Sequence, residues 1–385
     1  MRKTITVTDA ALLEAMQHIP KAVVHVHLDG SVPAEDVLKL SRQQEIDVLI
    51  GDKDPLENPL PKKSLEERKI LTPNQLREYW AQWDTYSVPC LFSAATNLMQ
   101  TYQGAVELAR AHVRSLVAQN IIYAETRFAP QYSTRDGKIS IDAAVEAVLV
   151  GLDQGMQEAR TTGKDITVKL IVCIGREEPL EVGIKVARAA LKYQNKGVVA
   201  LDLACYEALD HKRDAEQKSR TAETHYPAFE LTFDSALKRT VHAGEMMKDD
   251  EANLRNIHYA LTQLRADGIG HGIPLWRRTY QGNDLVQLML DRNVRLESNP
   301  VSNLFLGFIE QPEELHLDEL LRAGVLVTVN IDDPAMWPNG SLAHNLYIIE
   351  KLYGRDVMHT LNRNAVNAAF GLSGQKKQAI LKKFS

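Results

Sequence analysis

The chain has 385 residues, 44% hydrophobic and 25% charged, with a net charge of −5. That is the composition of a globular protein long enough to bury a substantial core. The charge is mild and no long basic run or basic–aromatic stripe occurs, so a nucleic-acid or anionic-membrane partner is unsupported and a small molecule is expected instead.

The N-terminal "MRKTITVTDAALLEAMQHIP" has no apolar core long enough for a signal peptide, and no apolar stretch reaches membrane-spanning length. The first strand is expected in "KAVVHVHLDG" (21–30), which ends in His25 and His27 alternating with valines. Residues i and i+2 of a strand face one side, so the two imidazoles share a face. They read either as a hydrogen-bonded pair in a half-buried strand or as two ligands of one metal ion. A long connection, 31–120, follows. It holds a helix begun by Pro33, a Pro- and charge-rich stretch (51–63), an aromatic helix "PNQLREYWAQWDTY" (73–86) and a long helix at 91–118. Further strands are expected at 121–130, 166–175, 197–207, 239–245, 268–272, 294–300 and 325–334. Helical patterns lie among them at 142–160, 178–193, 251–266 and 313–323. A second long connection, 206–225, is charged and lacks an apolar face, and 338–385 read as closing helices. The three cysteines, Cys90, Cys173 and Cys205, are too scattered for a disulfide framework or a cysteine-rich metal site. Reduced thiols and the missing signal peptide point to the cytoplasm.

Near-continuous apolar strands alternating with helices predict a parallel sheet. Eight such units predict an α/β fold with one closed (β/α)8 barrel over residues 1–385, carrying 31–120 as a lid insertion. Catalytic groups of such barrels sit at the C-terminal strand ends. There the first strand offers His25 and His27, the fifth His242 and Glu245, the sixth His271, and the eighth Asp332 and Asp333. Polar residues this costly to bury are not core filling. Three histidines and a carboxylate make a zinc site with a position left for water, whose pKa zinc lowers to about 7. Glu245, three residues beyond His242, is suited to proton transfer beside it.

The set "HVHLDGS", "HAGE", "GHG" and "DDP", in that order, resembles the adenosine deaminase family of zinc-dependent (β/α)8 hydrolases, over about residues 20 to 370. The resemblance implies one Zn2+ held by His25, His27, His242 and Asp332, with His27 also lining the substrate. It implies that Glu245 protonates N1 of the purine, that His271 orients the attacking water, and that Asp333 contacts the water and N7. Asp29 would bond the ribose 5′ hydroxyl, and Tyr79, Trp80 and Trp83 would lie on a helix that gates the pocket. The substrate implied is a 6-aminopurine nucleoside, foremost adenosine or 2′-deoxyadenosine, deaminated to the 6-oxo nucleoside.

The substrate wall departs from the family pattern. "DLACYE" stands where the family usually has "DLAGDE", placing Cys205 at a glycine whose backbone N–H contacts purine N3, with Tyr206 beside it. Ile331, Asn299 and Val301 replace a Thr, a Cys and a Thr. Adenine or a modified 6-aminopurine nucleoside therefore remains a competing substrate. A binuclear amidohydrolase would usually carry a lysine on the fourth strand, which "GVVALDLACYE" lacks. The H-x-E…P-C-x-x-C signature of cytidine-deaminase-type enzymes is missing too. A non-catalytic purine-binding barrel would be favoured only by lost ligands or a lost glutamate, and all are in place.

Overall fold

The apolar run at 21–27 forms strand β1 (Lys21–His27), buried throughout except at its last residue, His27. Seven further strands of the same sheet follow: β2 (Ile121–Phe128), β3 (Thr167–Gly175), β4 (Val198–Ala204), β5 (Lys238–Ala243), β6 (Gly268–His271), β7 (Arg295–Ser298) and β8 (Leu326–Val329). The computed structural model describes residues 4–54, 58–205, 207, 222–246 and 249–384. The strands are parallel and pair in sequence order from β1 to β8. Just beyond β8 the chain returns to β1. His27 N–H donates to the Asp332 carbonyl at 2.9 Å, and Asp332 N–H to the His25 carbonyl at 3.1 Å. The expected (β/α)8 barrel is the observed one.

Helices follow the strands as the periodicity predicts, including Ile141–Thr161, Leu180–Tyr193 and Asp250–Thr262. Ile141–Thr161 starts at Ser140, whose side chain accepts from Ala143 N–H. Its Gly151 lets the neighbouring helix approach closely, since a Cβ there would lie 2.3 Å from the Val106 carbonyl. Three helices, Leu342–Tyr353, Arg355–Asn367 and Gly374–Leu381, close the C-terminal end. Among the described residues, no helix is long and apolar enough to cross a membrane.

Several boundaries differ from expectation. The aromatic helix expected at 73–86 ends at Trp80, short of Trp83. The helix expected at 251–266 ends at Thr262. The one expected at 313–323 is a 3-10 turn, Pro312–Leu315, followed by a short helix, Leu317–Arg322. The single helix expected at 91–118 is two helices, Val88–Thr96 and Tyr102–Ala118, with a short 3-10 turn between them. Thr101 breaks the run: its backbone is extended and its side chain accepts from Gly104 N–H, which starts the second helix. The eighth strand ends at Val329 rather than reaching 334, and the chain beyond it passes through Asp332 at φ +56°.

The barrel interior holds charge. Glu125 and Arg127 on β2, Asp202 on β4, and Arg295 and Glu297 on β7 are all buried. Arg295 donates to Glu125 at 2.6 Å, and Thr240 to Glu297 at 2.9 Å.

Candidate active site

The C-terminal ends of β1, β5 and β6 bring their histidines together, and the chain past β8 adds Asp332. Ring centroids are 4.6 Å apart for His25 and His242, 5.1 Å for His25 and His271, and 5.2 Å for His27 and His242. Ligand atoms of His25, His242, His271 and Asp332 lie within 4.8 Å of one another, and those of His27, Asp29 and Asp333 form a second such group. Direct contacts tie His27 to the first group as well. Its Nε2 is 3.2 Å from Nε2 of His242 and 3.4 Å from Oδ1 of Asp332, an oxygen that also lies 3.2 Å from Nε2 of His25.

Buried carboxylates fix two of the rings from behind. Nδ1 of His25 faces Glu297 at 2.9 Å, and Nδ1 of His242 faces Asp202 at 3.2 Å. Each carboxylate accepts the Nδ1 proton, which leaves Nε2 with a bare lone pair directed into the site. Burial pushes the Glu297 pKa up, but Arg127 and Arg295 outweigh it and hold Glu297 well below the usual carboxylate range. Burial likewise keeps His27, His242 and His271 below the usual imidazole value, so they are neutral. Bare lone pairs then face an ionised carboxylate oxygen in a buried space, and Nε2 of His25 has no hydrogen-bond partner. Acceptors facing acceptors without water are costly. A cation among them removes the cost, and a nitrogen-and-carboxylate set of this kind could hold a divalent metal.

Asp332 is aimed by its own backbone and by Ser302, whose Oγ donates to Oδ2 at 2.7 Å. Three residues of the site, Cys205 (φ +75°), His271 (φ +64°) and Asp332 (φ +56°), adopt the left-handed conformation that L side chains avoid. Such costs of about 1–3 kcal/mol cluster where a side chain must be held in one direction.

Glu245 is buried beside His271, Oε1 to Nε2 3.5 Å, and its Oε2 has no partner. Burial, with the negative charges of Asp332 and Glu207 added, pushes its pKa well above the usual carboxyl value. Nδ1 of His271 receives the Asn303 amide at 2.9 Å, so the ring proton sits on Nε2, toward Glu245. Asn299 lies against the same ring, its amide nitrogen 3.5 Å from Nε2. Asp333 is raised well above its usual pKa by burial and then by Asp332, Asp29 and Glu245. The β1 exit loop presses on it so closely that a Cβ at Gly30 would lie 1.8 Å from Asp333 Oδ1. Asp29, its Oδ1 also unpartnered, is raised to about 6 by burial.

Cys205 turns its thiol toward Tyr132, 3.2 Å from the hydroxyl, and Tyr132 also donates to Glu177. Tyr206 and most of the 206–225 connection lie outside the described residues. Tyr79 and Trp80 do not project from a gate; they are core of the insertion. Tyr79 OH donates to the Cys90 carbonyl and Trp80 Nε1 to the Leu91 carbonyl, and both rings are buried. Trp83 differs: its ring packs 6.3 Å from that of Trp337, just past β8, and both indole N–H groups lack partners.

Arg127, Asp202, Glu207, Glu297, Ser302 and Asn303 escaped the sequence reading. A signal existed for three of them: "ETRF", "ALDL" and "RLES" put charges inside apolar strand runs, where burial demands a partner. Ser302 and Asn303 carry no such mark.

The family model described as adenosine deaminase matches residues 20–385. An adenosine deaminase of Mycobacterium marinum is 29% identical over 372 residues, covering 94% of this chain and 93% of its own length. An adenine deaminase from Arthrobacter aurescens superposes with a TM-score of 0.69 at 22% identity, over 95% of this chain and 98% of that one. The N6-methyl-AMP deaminase of Arabidopsis thaliana gives 0.73 at 21%, over 97% and 98%.

Proposed function

The chain belongs to the adenosine deaminase family and is a hydrolase acting on C–N bonds, and we propose that it converts adenosine or 2′-deoxyadenosine, with water, to the 6-oxo nucleoside and ammonia. The observation that carries this reading is a set of bare lone pairs facing one another beside a buried carboxyl, Glu245, whose pKa burial raises well above the usual carboxyl value. The metal we assign is one zinc ion, held by His25, His27, His242 and Asp332. When bound, zinc supplies a water that is deprotonated near neutral pH.

The chain's own groups do the rest. Glu245 delivers its proton to N1 of the ring, which makes C6 electrophilic; the carboxylate so formed then takes the proton of the hydroxyl added at C6 and passes it to the departing ammonia. His271, its tautomer set by Asn303, and Asp333 orient the attacking water. Asp333, protonated, donates to N7. Asp29 takes the sugar hydroxyl at the mouth. These groups stand in place before the reaction, so developing charge meets fixed partners rather than reorganising water.

The wall around Cys205 and Asn299 favours one second reading, a related 6-aminopurine, and the names of the two structural neighbours mark adenine and N6-methyl-AMP as the forms to test. Conversion to the 6-oxo product by zinc-loaded protein, read as ammonia release for adenosine, 2′-deoxyadenosine, adenine and AMP and as methylamine release for N6-methyl-AMP, decides between them. The highest kcat/KM is expected for the two nucleosides. A higher value for any other compound transfers the assignment to it.

A further inference from the structure

Glu207, two residues past the turn at Cys205, is buried although it sits on a charged connection. Among the described residues, no cation is a hydrogen-bond partner of its carboxylate. Instead it receives consecutive backbone N–H groups from the turn after β5: Gly244 N at 2.8 Å on Oε2, Glu245 N at 2.8 Å and Met246 N at 3.4 Å on Oε1. We propose that Glu207 is a positioning residue that clamps the Gly244–Met246 turn and thereby holds the Glu245 carboxyl at its working height. The inference rests on the assignment of Glu245 as proton donor.

The geometry favours this over a simple loop cap. A carboxylate that receives several N–H groups fixes a turn in both position and tilt, and charge-assisted bonds are the stronger kind. The residue so fixed has no side-chain hydrogen bond on Oε2, so the backbone clamp supplies the orientation that its own carboxyl lacks. The clamp also ties the β4 exit turn, where Cys205 stands, to the β5 exit turn, where the acid stands. A shift on the substrate wall is therefore transmitted to Glu245. His242 is anchored separately by Asp202, so losing the clamp should spare the metal.

The test compares Glu207→Gln and Glu207→Asp with Glu245→Gln in zinc-loaded protein. Gln offers one acceptor oxygen and sets its amide hydrogens against a backbone N–H. Asp keeps both acceptors at shorter reach. A displaced reacting group costs up to about 100-fold. For Glu207→Gln the expectation is a kcat lower by roughly 10- to 100-fold, KM within about two-fold of the parent, and zinc still at one equivalent; Glu207→Asp should recover part of the kcat. If zinc content and melting temperature fall and KM rises along with the loss of kcat, or if kcat is unchanged, Glu207 does not position the acid. Should Glu245→Gln itself retain full activity, the assignment of the proton donor fails instead, and the two failures are told apart by that variant.

Discussion

Nη2 of Arg127 lies 2.7 Å from Oε2 of Glu297, the oxygen that also receives Nδ1 of His25. The other arm of the same guanidinium donates to Asp202 at 2.9 Å, and Asp202 holds His242. One buried cation therefore stands behind two histidines of the proposed metal set. Replacing it with Met would leave buried Asp202 without its cation and Glu297 with Arg295 alone, a loss of about 3–5 kcal/mol in comparable cases. Arg127→Met should unfold at markedly lower urea and bind zinc roughly 10- to 100-fold more weakly. Arg127→Lys should rescue little, because one ammonium cannot span both carboxylates. Zinc affinity equal to the parent's in a folded Arg127→Met variant would detach the network from the metal.

The histidines permit a sharper test, because His27 and His271 are the two that could exchange roles. In the proposed set His27 is a ligand and His271 stands beside Glu245. His27→Ala should therefore lose its metal. His271→Ala should keep about one equivalent while kcat falls by roughly 10²-fold or more. Metal analysis of the two purified variants reads the answer, and the opposite pattern would exchange the residues.

Cys205 sits at φ +75°, where glycine is at ease and cysteine is not. Cys205→Gly should relieve backbone strain but lose the thiol's contact with Tyr132. The expected change in unfolding free energy is accordingly within about 1 kcal/mol, with KM for the purine moving more than kcat. Destabilisation beyond about 2 kcal/mol would make the thiol a structural anchor and remove it from the argument about substrate choice.

Trp83 and Trp337 are packed against each other, whereas Trp80 is tied to Leu91 within the insertion. A bound nucleoside should thus perturb the fluorescence of the first pair only. Trp83→Phe should remove most of the ligand-induced change, and Trp80→Phe almost none. A response that vanishes with Trp80 would restore that residue to the gate.

The barrel was legible because its strands are buried on both faces and read as apolar runs, as in "ITVKLIVCIG". The polar strand ends were legible for the complementary reason: His25 and His242 interrupt apolar strands, and Asp332 follows one directly, with groups that burial does not tolerate alone. What stayed hidden depends on direction. The positive φ at His271 and Asp332 does not show in residue type. Nor does the fact that "SN" at 302–303 supplies one partner to Asp332 and another to His271. The aromatic helix misled because tyrosine and tryptophan spaced along one face serve a gate and a core equally well. Only the bonds of Tyr79 and Trp80 to carbonyls inside the insertion separate the two.

The central claim is that a buried, protonated Glu245 drives hydrolytic deamination of a purine beside a zinc held by other residues. The measurement that tests it most directly is ammonia release from adenosine by zinc-loaded Glu245→Gln protein, with metal content determined on the same sample. Gln keeps the size and hydrogen-bonding reach of the side chain but carries no transferable acid proton. The account predicts one zinc per chain and a kcat lower by at least about 100-fold, the smaller end of what general acid–base catalysis contributes. Turnover within a few-fold of the parent, with zinc in place, would contradict it.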